Sequence, residues 1–221
     1  MTDWLTAGRY GKYVNAAGGD HRRALALYEW NAQLSASLLH DLGHLEVGLR
    51  NAYDRALLTH PTILGDDWIN EAAAQLLLPP HMSPDDNGLL QDKNATPRNS
   101  IKQARKFAKY NETNGVHRGK VIAEFMFGSW TYLTDSLHEK TLWVPALHKA
   151  YAPGADRSKL HLALTDLRDV RNRLAHNESV YDRHPENLRR SIVYVTRHLS
   201  EPLREHVEAH STVSDILARR P

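Results

Sequence analysis

The chain of 221 residues contains no cysteine. This excludes disulfide bonds, a thiolate nucleophile, and zinc or iron–sulfur sites built on cysteine, and nothing in the composition requires an oxidising compartment. Lys and Arg together number 28 and Asp and Glu 26, so the net charge gives no reason to expect nucleic-acid binding by the surface as a whole. Such binding would need a local cluster of basic residues.

Long apolar runs are also absent. No segment approaches the roughly 20 apolar residues that a membrane-spanning helix needs. The first residues, MTDWLTAGRYGKY, have neither a basic leader nor an apolar stretch. We therefore expect a cytoplasmic protein that does not contact the membrane. The length and the 41% hydrophobic content predict a single domain over residues 1–221.

Apolar residues recur at intervals of three and four along most of the chain, which predicts an all-α fold. The longest such segment begins with an N-cap at Asp20 and ends near His60, before Pro61. Further helices are predicted over residues 99–111, 120–137 with a break near Gly128, 156–176, 185–199 and 202–220. Residues 79–98 are rich in Pro and Asn and predict a long polar loop inserted into the domain.

Basic residues are concentrated between Arg98 and Lys120, where Glu112 is the single acid. A local basic face of this kind can bind the phosphates of RNA. A solvated helix surface would carry the same run of charge, and both interpretations stay open. The candidate RNA-binding residues are those on one predicted helix: Lys102, Arg105, Lys106 and Lys109.

Arg171 interrupts the apolar face of the helix predicted over 156–176. An unpaired guanidinium buried there would be costly, so Arg171 is either a paired structural arginine or part of a polar site. Asn172 and His176 are four residues apart and share a helix face. On an ideal helix Arg171 and His176 would point about 140° apart. A shared site therefore requires a helix end near His176, and Asn177, a poor helix former, favours one there.

These side chains suit cleavage of RNA without a metal or another cofactor. An imidazole with a near-neutral pKa can move a proton to or from the ribose 2′-OH or the leaving oxygen. A guanidinium can stabilise the negative charge of the phosphorane. If His176 lies at the C-terminus of a helix, the helix dipole favours its protonated form.

The segment at 167–178, LRDVRNRLAHNE, resembles the R-N-x-x-x-H signature of HEPN-domain ribonucleases. Two further segments resemble the Abi-like, or abortive-infection, branch of these proteins. They are LYEWN at 27–31 running on to HLEVGLRN at 44–51, and EFMFGSW at 124–130 followed by LW at 142–143. The resemblance covers most of residues 25–199. It implies a HEPN-like helical bundle with a long first core helix and extra helices and loops.

The same resemblance implies a function. It is that of a metal-independent endoribonuclease acting as a toxin or phage-defence effector, restrained by an RNA or protein antitoxin. It also implies a homodimer whose two motifs face each other in one cleft. Arg171 and His176 would take the catalytic roles, and Asn172 would orient the site or the substrate. Arg173 stands where a small or charged residue is often found and adds positive charge.

Glu46, Arg50 and Asn51 form a second polar group on the longest predicted helix, where Glu46 intrudes on the apolar face. A buried Glu46 would need Arg50 or Arg171 as a partner, and the group would then support the catalytic motif. The alternative is an ordinary ion pair on the helix surface, worth about 0.3–0.5 kcal/mol. No histidine follows Arg50 at the distance that separates Arg171 from His176, so a second active site is not predicted.

Two other hypotheses compete with catalysis. The first is a helical dimer that binds RNA or a partner protein through the same motif without cutting it. The second is a purely structural interaction protein, in which the motif matters for stability alone. The pairs His40/His44 and His206/His210 have the spacing of metal ligands on one helix face, but neither pair has a third ligand at a suitable spacing. No metal site is therefore predicted.

Overall fold

The computed structural model describes residues 4–63, 67–111, 113 and 116–221, and this part of the chain is mostly helical, which confirms the all-α prediction. The helices are α1 Ala7–Ala16, α2 His21–Leu57, α3 Glu71–Leu77, α4 Ala95–Phe107, α5 Arg118–Ala123, α6 Phe127–Tyr132, α7 Arg157–Ala175, α8 Pro185–Leu199, α9 Glu201–His210 and α10 Val213–Leu217. Two short strands, β1 (Met82–Pro84) and β2 (Leu90–Asp92), pair antiparallel. Short 3₁₀ or π turns lie at Pro61–Ile63 and within 136–150. None of the described helices has the length and apolar character needed to cross a membrane.

Helix α2 is the central element, with 37 residues and a length of about 55 Å. It begins where the sequence predicts, because the Asp20 carboxylate accepts hydrogen bonds from the N–H groups of Arg22 and Arg23. Helices α1, α7, α8 and α9 pack around it. The predicted apolar positions are all buried, and they are Leu27, Leu34, Leu38, Leu42, Leu45, Leu49 and Ala56.

Helices α7 and α8 pack on α2 and on each other. The side chain of Asp156 caps the N-terminus of α7 by accepting from the N–H groups of Ser158 and Lys159. Pro185 occupies the first turn of α8, where its missing N–H has no cost. Both helices therefore have the boundaries that the sequence predicts.

The segment predicted as a polar loop over 79–98 contains the β1–β2 hairpin and the start of α4. Helix α4 begins at Ala95 rather than 99, because Pro97 lies in its first turn, where a helix tolerates proline. It also ends earlier than predicted. Lys109 adopts a left-handed conformation with φ 53°, and the N–H of Tyr110 bonds to the carbonyl of Arg105, which closes the helix.

Other predicted boundaries differ from the structure. The helix predicted over 120–137 is broken at residues 124–126, close to Gly128 as expected, but its second part, α6, ends at Tyr132 rather than 137. Residues 202–220, predicted as one helix, form parts of α9 and α10. Helices α1 and α3 were not predicted. Glu112, the single acid of the basic stretch, lies outside the described residues.

An aromatic cluster joins α2 to the middle of the chain. The ring of Trp130 lies 6.0 Å from Tyr53, 6.1 Å from Trp68 and 4.9 Å from Phe125, measured between ring centres. Trp130 and Tyr53 are completely buried. These contacts fix α6 on α2, and α6 in turn packs on α7.

Asn31 ties the segment after α7 to α2. Its side chain is buried, and its Oδ1 accepts hydrogen bonds from the backbone N–H groups of Val180 at 2.9 Å and Tyr181 at 3.2 Å. One amide oxygen therefore accepts two backbone hydrogen bonds that connect the chain after His176 to α2.

We expect Asn31→Ala to lower the free energy of unfolding by about 2 kcal/mol, because it leaves two N–H groups without an acceptor in the interior. Urea denaturation measures this. The nearby Gln33→Ala, at an exposed position of the same helix, should change it by less than about 0.5 kcal/mol. Equal stabilities of the two variants would contradict the role assigned to Asn31.

Candidate functional site

The C-terminus of α7 carries the R-N-x-x-x-H motif. The helix ends at Ala175, and His176 is its C-cap. Asn177 adopts a left-handed conformation with φ 52°, and the N–H of Glu178 bonds to the carbonyl of Arg173 at 2.9 Å. This is a Schellman turn with asparagine, the residue that after glycine adopts that conformation most readily. Helix α7 therefore ends at its C-cap His176, and a helix end at this residue is what a site shared by Arg171 and His176 requires.

The motif side chains differ in exposure. Asn172 and His176 are exposed, and Arg171 is half-buried beside the apolar face of α7. Within the described residues the imidazole of His176 makes no hydrogen bond; its backbone carbonyl alone accepts one from a side chain, Arg9. The ring is therefore accessible to a ligand at the helix end.

Arg171 faces a half-buried carboxylate on α2. Burial raises the pKa of Glu46, while the nearby positive charges of Arg171 and, to a smaller extent, Arg50 lower it. The Nε of Arg50 is buried and has no hydrogen-bond partner among the described residues. Two guanidinium groups therefore lie near one carboxylate, with no ion pair within 4.0 Å among the described residues, and the group has a net positive charge when Glu46 is ionised.

Two other candidate residues, Asn51 and Arg173, make no hydrogen bond or ion pair with Glu46 or Arg171, among the described residues, that would support the roles expected from the sequence. Asn51 is exposed, and its side chain makes no hydrogen bond within the described part of the chain. Arg173 forms an ion pair with Glu178, with 3.0 Å between Nη1 and Oε2. The expected extra positive charge of Arg173 is therefore offset, and the pair spans the turn that ends α7.

Arg9 belongs to the site but was missed by the sequence analysis. Its Nη2 donates to the carbonyl oxygen of His176 at 3.3 Å, which brings a third arginine to the motif. Arg9 lies on α1, and predicting that helix would have been the only way to consider this residue. Helix α1 was not predicted because Gly8 and Gly11 lower its helix propensity. Nothing in the sequence indicates that this helix packs near residue 176.

The basic residues expected to bind RNA lie on a separate surface. Helix α4 packs on α3, α5 and α6, whereas the motif lies on α7 and faces α2. Lys102 and Lys106 are exposed one turn apart on α4. The guanidinium of Arg105 lies over the ring of Tyr110, 5.4 Å from its centre. Lys109 follows the end of the helix. The structure therefore places two of the four on one exposed helix face.

Two further basic residues of this stretch are engaged inside the protein. Arg98 pairs with Asp92. Arg118 pairs with Asp54 at 2.8 Å and with Asp67 at 2.5 Å. Their charges are balanced by acids, so they do not add to a phosphate-binding surface.

The structure also joins two histidine pairs that the sequence analysis considered separately. His40 and His44 of α2 meet His206 and His210 of α9, with 4.7 Å between the ring centres of His44 and His206. Burial lowers the pKa of His44, and the neighbouring rings of His40 and His206 lower it further. These four residues are called the imidazole cluster below.

Comparisons with protein-family models, with curated proteins and with solved structures find no match. The resemblance to HEPN ribonucleases therefore depends on the motifs in this chain alone.

Proposed function

We propose that this chain is a metal-independent endoribonuclease of the HEPN type that acts as a toxin or phage-defence effector. The placement of His176 carries the proposal, because an exposed imidazole with no hydrogen-bond partner among the described residues ends the helix that also presents Arg171. The HEPN-like bundle and an RNA or protein antitoxin are parts of the same proposal. An antitoxin would be needed because free ribonuclease would cleave the cell's own RNA.

In the proposed reaction the ribose 2′-oxygen attacks the adjacent phosphorus and the bond from phosphorus to the 5′-oxygen breaks. The products are a 2′,3′-cyclic phosphate and a 5′-hydroxyl. His176 takes the proton from the 2′-OH or supplies one to the leaving 5′-oxygen. Arg171 stabilises the extra negative charge on the phosphorane. Asn172, exposed on the same helix face as His176, orients the substrate.

Glu46 has a positioning role in this proposal. Its carboxylate attracts Arg171 from the side of the core, and Arg50 offsets part of the negative charge. Arg9 is a second cation near the scissile phosphate, since it bonds to the backbone of His176. The surplus of positive charge supports binding of a phosphate.

We expect purified protein to cleave single-stranded RNA and to retain that activity in EDTA. His176→Ala and Arg171→Ala should each reduce the cleavage rate by at least about 100-fold, because each removes a group acting in the transition state. Gel analysis of a labelled RNA measures the rate. The control is His81→Ala, which removes an exposed histidine outside the motif.

Loss of cleavage in EDTA with recovery on adding a divalent metal would reject the mechanism. If wild type and His176→Ala bind RNA equally and neither cuts it, the protein is the non-catalytic binding module. If neither Arg171→Ala nor His176→Ala changes anything except stability, the motif is structural.

We expect the α4 surface to contribute to RNA binding through charge. Lys102→Gln/Lys106→Gln should weaken binding and reduce the slope of log K against log salt by up to about 1.4, since each phosphate contact on single strands contributes about 0.7. Fluorescence anisotropy at several salt concentrations measures this slope. The control, Lys140→Gln/Lys159→Gln, removes the same charge from exposed positions elsewhere. Equal slopes for the two variants would make α4 an ordinary solvated surface.

We also propose a homodimer with the two motifs facing each other. One chain offers one His176, whereas acid and base catalysis at two oxygens is easiest with two proton carriers. A twofold dimer supplies both, and such symmetric dimers are the commonest oligomers. The exposed position of the α7 end supports this arrangement.

Light scattering should therefore give twice the chain mass of 25.1 kDa. Because the chain has no cysteine, Asn172→Cys introduces a unique thiol in the motif. A short bismaleimide should link two Asn172→Cys chains and leave Lys140→Cys chains unlinked. An active protein of single-chain mass, or cross-linking equal at the two positions, would contradict this dimer.

A further inference from the structure

The imidazole cluster is a continuous row of four rings across two helices. Ring centres are 4.7 Å apart for His40 and His44, 4.7 Å for His44 and His206, and 4.3 Å for His206 and His210. Each helix supplies two histidines spaced four residues apart, which places them on one face. The histidines of α9 can therefore supply the third ligand that the pair on α2 lacks, and the histidines of α2 can do the same for the pair on α9.

These separations are close to those of rings bound to one metal ion. With a Zn–N distance of about 2.0–2.1 Å and tetrahedral angles, the centres of two bound rings lie about 5 Å apart. Three consecutive rings of the cluster, His40, His44 and His206, are separated by 4.7 Å and meet nearly edge to face. Their rings are therefore already close to the separation that a shared ion needs.

The four rings pack against one another in a row, and their nitrogens do not converge on a common position for an ion. Within the described residues, no three or more His, Asp or Glu side chains are already arranged to hold an ion. Binding therefore requires rotation about the side-chain torsions of these histidines. Three of the four, His40, His206 and His210, are exposed, so such rotation meets little packing.

Two of the rings have the orienting bonds typical of metal ligands. Nδ1 of His40 lies 3.0 Å from Oδ1 of the buried Asp41, whose other oxygen accepts from Ser211 at 2.6 Å. Nδ1 of His210 lies 2.8 Å from the carbonyl oxygen of His206. Both partners are acceptors, so Nδ1 carries the proton and the lone pair of Nε2 is left for an ion.

The packing of α9 on α2 holds the two histidine pairs in register. Gly48 lies one turn beyond His44, and a side chain at this position would collide with Leu203 of α9. The side chain of Leu203 therefore packs directly against the backbone of α2 just beside the cluster. Such a contact reduces the ordering that metal binding would otherwise require.

We propose that the imidazole cluster binds one divalent transition-metal ion that links α9 to α2. The donors are imidazole nitrogens, which favour zinc, nickel or copper over magnesium or calcium. The site is separate from the proposed ribonuclease centre, since His44 and Glu46 are two residues apart on α2 and point about 160° apart. The ion has a structural role, and the proposal does not depend on RNA cleavage.

The test is calorimetric titration of untagged, full-length, metal-free protein with Zn²⁺ at pH 7.5. One ion should bind per chain and raise the melting temperature. His44→Gln and His206→Gln each remove one of the two rings that meet across the helices, and should weaken binding at least tenfold. The control is His148→Gln, an exposed histidine outside the cluster, which should bind like the wild type.

Titration of the wild type with Co²⁺ gives a readout that does not depend on a variant folding. Intense visible absorption bands of four-coordinate cobalt support the proposal, and the weak bands of hydrated octahedral cobalt overturn it. Equal Zn²⁺ affinity of the wild type and His44→Gln, with matching circular dichroism spectra, also overturns it. RNA cleavage in EDTA is measured separately. Its result bears on the proposed function and not on the metal site.

Discussion

The burial of one leucine-rich stripe of α2 is the interaction on which the rest of the structure depends. Helices α1, α7, α8 and α9 all pack on this helix. Its 37 residues therefore determine how the elements that carry the candidate sites are placed. Asn31 anchors the chain after the motif, Glu46 faces Arg171, and His44 meets His206. Three polar groups are thus spaced along one helix, and the apolar contacts between them set their relative positions.

Much of this frame could be predicted from local signals. Long apolar periodicity and side-chain caps at Asp20 and Asp156 define α2 and α7, and Pro185 defines the start of α8. Helix α3, with seven residues, was missed, because helices this short are stabilised by tertiary packing rather than by propensity. The N-terminal turn of α4 was also missed. Proline is typical of loops, and Pro97 is compatible with a helix only because it lies in the first turn.

The candidate site was only partly predictable. The end of α7 could be predicted from Asn177, because a left-handed residue is a local requirement. The approach of Arg9 to His176 and the meeting of His44 with His206 could not, since each joins residues more than 150 positions apart through the packing of whole helices. Lys109 shows the opposite error. It lies inside the helix predicted over 99–111, whereas its left-handed backbone conformation places it just beyond the end of α4.

The environment of Arg171 bears on whether it is a structural or a functional arginine. A structural arginine on an apolar face has its donors satisfied, because an unpaired buried guanidinium is costly. Arg171 is half-buried, and within the described residues its nitrogens make no hydrogen bond, while Glu46 attracts it electrostatically and is shared with Arg50. This arrangement holds the guanidinium in place and leaves its donors free. A planar group with free paired donors is suited to a phosphate, and the proposed function therefore assigns Arg171 to phosphate binding rather than to stabilising the fold.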